Sequence, residues 1–414
     1  MLGKQNKLLK TPRKGSFCIV DLFHIHSSMS QNNYLKIMHK INTKDDFNEF
    51  SLKFQQEHDM PYAFGIGYTF VNAKDESLAT RWHAVNVKEN FGTASVLMEV
   101  LKIDLVDSVT VHESVPIPLV EEMLSCFRCF ENDGQIHQNI NALKQVMTNC
   151  TIIFFKDEKS LKEEPVSGKH DGMFRLSLLS RLKFKPNELC LDNLFNVLPN
   201  LAWTDDSVYD IAEYNNELWG NDVLISIDDT YTRMSKDIII DKIPLLIWGA
   251  PIPEGVRIAN TKMVRLGAYL SPGTTVMHYG FVNFNAGTLG KAMVEGNISA
   301  GTTIGDGTDI GAGAGFLGTL SGGNSIKLST GKDCLIGARA ECGVILGDNC
   351  VVATGISFSQ NTPIMEIKEN GEEILGKVKD YNGKNNLTYR RHSITGRLEV
   401  IHKGNKDFLN EDLH

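Results

Sequence analysis

The segment MVEGNISAGTTIGDGTDIGAGAGF, residues 293–316, decides the fold. Ile298, Ile304, Ile310 and Phe316 recur every six positions amid glycine, a period that fits neither a helix nor the alternation of an ordinary strand. The same spacing, in a frame offset by four, runs upstream through Val264, Leu270, Val276, Val282, Thr288 and Val294. Downstream it resumes at Ile336 and Cys342 and slips once more to Leu346 and Val352. Stacked hexapeptides bury one small or branched side chain per short strand, and they turn on Gly, Asn, Asp or Ser where φ is positive or space is tight. A coiled parallel β-solenoid is therefore expected over residues 258–360, interrupted by GTLSGGNSIKLSTGKD at 318–333. At about eighteen residues per coil, about five coils fit. A linker would not hold aliphatic residues in phase, and a meander would alternate every second residue. Insertions into a solenoid map to loops on one face, where binding concentrates.

The whole chain, 414 residues, is too long for one core, so two or three domains are expected. Residues 17–257 mix strand-like runs (SFCIVDLF, CTIIFF, DVLISI) with helix-like ones (Thr93–Leu101, Ile140–Met147), which predicts an α/β or α+β domain ahead of the solenoid. After Gln360, MEIKENGEEILGKVKD and NLTYRRHSITGRLEVIHK read as short polar strands. Residues 361–414 are thus expected to form a small β cap over the last coil. Residues 1–16 carry Lys4, Lys7, Lys10, Arg13 and Lys14 with no apolar signal region after them, and are expected to be a flexible basic tail.

Composition narrows the function classes. The net charge is −8 and no basic stripe with interleaved aromatics occurs, so a nucleic-acid partner is not expected. The most apolar stretch, Asp237 to Pro253, is broken by Asp241, Lys242 and Pro244, which excludes a transmembrane helix there. Cys126 and Cys129 form a lone CxxC on an expected helix, a packing pattern rather than a zinc site. Scattered reduced thiols suit a cytoplasmic protein. There is no GxxxxGK[ST] loop, and Gly65 and Gly67 in FGIGYTF lack the third glycine and helix start of a dinucleotide site.

Glu295 follows the inward Val294 and precedes Gly296. A carboxylate on a rigid strand, with glycine leaving room for another molecule, suits a proton acceptor. The plainer alternative is a solvated glutamate at a coil corner.

HYGFVNFNAGTLGKAMVEGNIS, GTLSGGN, NNLTYRRHSITGRLEV and the terminal LNEDLH closely resemble tetrahydrodipicolinate N-succinyltransferase of the diaminopimelate route to lysine. The resemblance implies a left-handed β-helix, a homotrimer with active sites between neighbouring helices, and succinyl-CoA as co-substrate with no permanently bound cofactor. It implies that Glu295 is catalytic, as the base that takes a proton from the attacking amine or as a covalent acyl acceptor. The base is chemically favoured, since an anhydride would be open to hydrolysis in a wet cleft. Backbone N–H groups near Gly318 and Ser321 are expected oxyanion donors. The coenzyme arm is expected along Asn297, Ala312, Gly315, Ala338, Ala353 and Thr354, and its phosphates at Lys377, Arg390, Arg391, His392 and Ser393. Arg233 in YTRM is an expected contact for the acceptor's carboxylates.

Two departures stand out. Asn297 replaces an arginine that family members carry, so that coenzyme contact is changed or supplied elsewhere. Lys262 and Tyr279 occupy positions where some members hold magnesium on acidic side chains, so no metal is expected there. A zinc hydratase on the same scaffold would need several histidines, and residues 258–360 offer only His278. A sugar-nucleotide transferase would need the missing phosphate loop. A non-catalytic trimerising scaffold, or an acyltransferase with another acyl group or acceptor, are the remaining alternatives.

Overall fold

The computed structural model describes residues 41–130, 137–204, 207–219, 238–318 and 326–402. Arg233 and Ser321 lie outside these residues, as do the basic stretch 1–16, SFCIVDLF, DVLISI and LNEDLH.

The first half is built on an antiparallel sheet of β1 (Ala63–Val71), β2 (Ser77–Val87), β3 (Val109–Val115) and β4 (Cys150–Phe155), in the order β2-β1-β4-β3. Antiparallel pairing makes this domain α+β. Strand β4, CTIIFF, is buried at every position because both faces are covered. Cys150, Ile152 and Phe154 point into one core; Ile153 and Phe155 point into the other. The first core lies beneath α1 (Lys44–Glu57), α2 (Phe91–Leu101), α3 (Ile117–Cys126) and α4 (Gln138–Gln145). Helix α1 starts on a reciprocal cap: Asp46 N donates to Thr43 Oγ1, and Thr43 N donates to Asp46 Oδ2. Helix α3 stops at Cys126, which leaves Cys129 in a following 3₁₀ turn rather than on the expected helix. Burial pushes the Cys126 thiol up to about 11, well away from a reactive thiolate.

After the short α5 (Glu158–Lys162), helix α6 (Lys169–Ser180) covers the other face of the sheet. The two glycines of FGIGYTF serve this packing. A Cβ on Gly65 would lie 2.4 Å from the Phe174 ring, and one on Gly67 2.6 Å from Thr80. Arg175, fully buried in α6, bonds Asp171 through Nε at 2.6 Å and donates to the carbonyls of Ser160, Leu161, Glu164 and Cys190. This guanidinium ties α6 to the segment before it and the loop after it.

The second half is a three-sided parallel solenoid, consistent with a left-handed β-helix. One face stacks Arg257–Ile258, Thr274–Val276, Ala292–Val294, Thr308–Ile310, Leu335–Ile336 and Val351–Val352. The second stacks Phe281–Val282, Asn297–Ile298, Gly315–Phe316, Glu341–Gly343 and Ser357–Ser359. The third stacks Ala268–Leu270, Ala286–Thr288 and Thr303–Ile304. Every inward residue of the period is at most 5% exposed. In space these residues form vertical columns: Val276 on Ile258, Val294 on Val276, Ile310 on Val294, Ile336 on Ile310 and Val352 on Ile336. Thr288, the polar member, is satisfied internally by the Thr274 hydroxyl at 2.6 Å and by Ser271 N. The interruption is shorter than expected: the third face resumes at Leu328, where Ser329 bridges Thr303 and Thr330 N donates to Thr303 O.

The strand Thr388–Arg391 adds to the first face beside Val351–Val352 and begins the cap. Tyr389 sits on Val352 with its ring stacked 5.0 Å from Phe358, closing the core. Leu398–Ile401, Pro363–Ile367 and Glu373–Lys377 complete the sheet outward. At the other end, α6 packs on the third face, where Ser180 Oγ accepts from Gly267 N at 2.8 Å. Asn187 and Asn285 exchange hydrogen bonds, and Asn187 Nδ2 donates to Gly301 O, so the corner between second and third faces is also covered. Asp171→Ala, which leaves Arg175 buried without its counter-ion, is expected to cost about 3–5 kcal/mol of stability. Urea unfolding checks this; a loss no greater than a surface substitution gives would refute it.

Candidate active site

Glu295 lies in the two-residue bend that joins the first face to the second, not within a strand as the sequence suggested. The bend is short because the inward positions Val294 and Ile298 are four apart there rather than six. Such a tight corner stacks directly on its neighbours. A Cβ on Gly296 would lie 2.2 Å from Ala314 O, and one on Gly280 2.1 Å from Val294 O. Glu295 N donates to Ile310 O at 2.8 Å, and its own carbonyl accepts from Gly313 N at 3.4 Å. The backbone is thus clamped from the coil above. The side chain is half-buried and has no hydrogen-bond partner among the described residues.

The same corner, coil after coil, carries four of the six residues expected along the coenzyme arm. Gly313 N donates to Glu295 O, Arg339 N to Ala312 O, and Gly355 N to Ala338 O. Glu295, Ala312, Ala338, Ala353 and Thr354 therefore lie on one ridge, with small side chains above the glutamate. Asn297, exposed, and Gly315 pair with each other on the adjoining second face. The ridge ends at the cap, where Ala353 N donates to Tyr389 O and places Arg390 and Arg391 in the next layer. Both arginines are exposed, as is Ser393 in the turn beyond them.

His392 organises that turn: its Nδ1 accepts from Thr395 N at 3.2 Å and Ile394 N at 3.4 Å. The proton is then on Nε2, which is left as a donor. Arg391 Nη1 donates to Gly396 O at 2.8 Å.

Other expected residues are not gathered on the ridge. Lys377 lies three strands from Arg390 across the cap sheet, about 14 Å. Gly318 follows the second-face strand Gly315–Phe316, at the opposite edge of that face from Glu295. A single chain does not bring Gly318 against Glu295. Lys262 is exposed in the 3₁₀ turn Thr261–Met263, and Tyr279 is 80% exposed one coil below Glu295.

Sequence reasoning passed over three features of the ridge. Arg339 is exposed with φ +58°, between Gly313 and Gly355, which also have positive φ; the signal was an arginine where the repeat elsewhere has glycine. Glu399 and Arg397, which brace Arg390, became visible only through cross-strand pairing. Glu373 is held below the usual carboxylate range by its hydrogen bonds to Arg397.

Comparison with known proteins now places the chain. Residues 45–196 match the family model "Tetrahydrodipicolinate N-succinyltransferase N-terminal", and residues 327–358 match "Hexapeptide repeat of succinyl-transferase". A 2,3,4,5-tetrahydropyridine-2,6-dicarboxylate N-succinyltransferase from Campylobacter jejuni is 33% identical over 404 residues, covering 90% of this chain and 100% of that protein. The chain belongs to the tetrahydrodipicolinate N-succinyltransferase family. A family member from Vibrio cholerae is 40% identical over 59% of this chain and 69% of its own length; one from Pseudomonas putida is 38% identical over 61% and 72%. A crystal structure from Campylobacter jejuni, described as a 2,3,4,5-tetrahydropyridine-2-carboxylate N-succinyltransferase, superposes with a TM-score of 0.76 at 31% identity, over 87% of this chain and 98% of that one. Family membership over nearly the whole length extends the resemblance beyond the solenoid motifs to the first half. Gly296→Ala, whose added methyl has no room against Ala314 O, is expected to cost more than about 1–3 kcal/mol. Thermal melting should show a clear drop; an unchanged melting temperature would mean that the corner is not tightly stacked.

Proposed function

We propose that the chain transfers the succinyl group of succinyl-CoA to the amine of ring-opened tetrahydrodipicolinate, giving N-succinyl-2-amino-6-oxopimelate on the route to diaminopimelate and lysine. What carries this reading is the family's extent over the chain, joined to a ridge that aligns Glu295 with small residues and a cationic cap. Four layers separate Glu295 from Arg390, about 19 Å at ordinary strand spacing. An extended pantetheine arm spans about 15 Å from sulfur to the first phosphorus, judged by the reach of an extended backbone per bond. The diphosphate adds the remainder, so a thioester beside Glu295 leaves phosphates at Arg390, Arg391, His392 Nε2 and Ser393.

In this reading Ala312, Gly315, Ala338, Ala353 and Thr354 flank the arm and Asn297 offers an amide beside the thioester. Glu295 takes a proton from the acceptor amine as its nitrogen attacks the thioester carbonyl. The tetrahedral oxyanion collapses, the C–S bond breaks, and the proton passes to the departing thiolate. Gly318 and Ser321 would supply oxyanion donors from a neighbouring copy, since one chain holds Gly318 away from Glu295. Arg233 and Lys377 would likewise act across that boundary. A closed homotrimer makes three equivalent clefts of this kind. Exposed Tyr279 and Leu289 are apolar surface available for such packing. A cytoplasmic location goes with this biosynthetic role.

Thiol release from succinyl-CoA should depend on tetrahydrodipicolinate and run faster than from acetyl-CoA; equal rates with both donors would sink the succinyl assignment. Glu295→Gln should retain assembly and donor binding while losing about a hundredfold or more in turnover. Near-wild-type turnover would remove Glu295 from the chemistry.

A further inference from the structure

Glu399 is 1% exposed, yet it lies on the cap strand directly opposite Arg390. Its two oxygens hold different arginines: Oε2 accepts from Arg390 Nε at 3.2 Å, and Oε1 from Arg397 Nε at 2.9 Å. Each nitrogen of Arg397 has a partner, because its Nη1 donates to Glu373 Oε2 at 2.8 Å and its Nη2 donates to Glu373 Oε1. Arg390 differs. Its side chain is 47% exposed and, among the described residues, is held through Nε, which leaves both Nη groups for another partner. A guanidinium fixed at Nε presents its remaining N–H donors as a planar fork in one direction, the geometry that suits a phosphate. The quartet of two arginines and two glutamates carries no net charge. What it adds to the ridge is direction, not attraction.

We infer that Glu399 is a positioning residue that aims Arg390 at a phosphate of the acyl donor, so that the enzyme selects phosphate-bearing thioesters over the bare pantetheine thioester. The inference rests on the donor reading above. It also opposes the simplest electrostatic expectation. Removing a carboxylate near a phosphate site would, by Coulomb's law alone, tighten binding.

The test is steady-state kinetics of the full-length protein with succinyl-CoA and with succinyl-pantetheine, which lacks phosphate. Glu399→Gln is expected to raise KM for succinyl-CoA about tenfold, the scale of one charge-assisted hydrogen bond, with kcat unchanged. Its kcat/KM for succinyl-pantetheine should stay within about twofold of wild type, since no phosphate contact is lost. Arg390→Lys keeps the charge but loses the fork, and is expected to show the same split. If Glu399→Gln does not fold, Glu399→Asp, which keeps the carboxylate but shortens its reach to Arg390 Nε, is expected to show the same split. An unchanged or lowered KM for succinyl-CoA in either Glu399 variant, or an equal loss on both donors, overturns the role of Glu399. Unchanged KM for succinyl-CoA in Arg390→Ala would instead overturn the placement of the donor phosphates, on which the proposal rests.

Discussion

The structure depends on one constraint: each coil of the solenoid must stack its backbone directly on the next at strand spacing. Inward side chains then fall into vertical columns, and a residue too large or unpaired would spread the coils. Corners feel the constraint most. At Gly280, Gly296 and Gly305 a Cβ would lie within 2.2 Å of a backbone oxygen of the coil above. Such corners admit glycine because nothing else fits, and they make the ridge straight.

A straight ridge converts chain order into distance. Glu295, Ala312, Ala338, Ala353 and Arg390 are widely separated in sequence, yet successive layers bring them into one line. The regular hydrogen bonds between coils hold Glu295 and the cap arginines at a fixed separation without any dedicated scaffold. Between the glutamate and the cap this line carries the small side chains of Ala312, Ala338, Ala353 and Thr354, with Arg339 beside them. The cap, in turn, gains its position by continuing the first face, so that its arginines inherit the solenoid's register.

The first half determines which edge is available. Helix α6 and the Asn187–Asn285 pair cover the third face and its junction with the second. The corner bearing Glu295 is left exposed, with Tyr279, Ala312, Arg339 and Thr354 along it. The covering surface is anchored by Arg175, whose guanidinium donates to four backbone carbonyls, those of Ser160, Leu161, Glu164 and Cys190.

The solenoid was legible because its constraint is local and repeated: the inward positions from Val264 to Val352 are apolar apart from Thr288, most of them small or branched, and corners such as Gly280, Gly296 and Gly305 leave room only for glycine. Glu295 and the Arg390–Ser393 motif were legible through resemblance, since a single carboxylate or arginine pair carries no signature of its own. The first half was read only as mixed α and β. Strand pairing between β1 and β4, about ninety residues apart, leaves no periodic trace in either segment. By itself, then, the sequence determined the coiled architecture, because short-range sterics act on neighbours along the chain, and it named the candidate residues only through resemblance. Tertiary structure alone decided that those residues share one exposed ridge and that Glu399 braces Arg390, because stacking and cross-strand contacts join positions whose spacing in sequence is arbitrary.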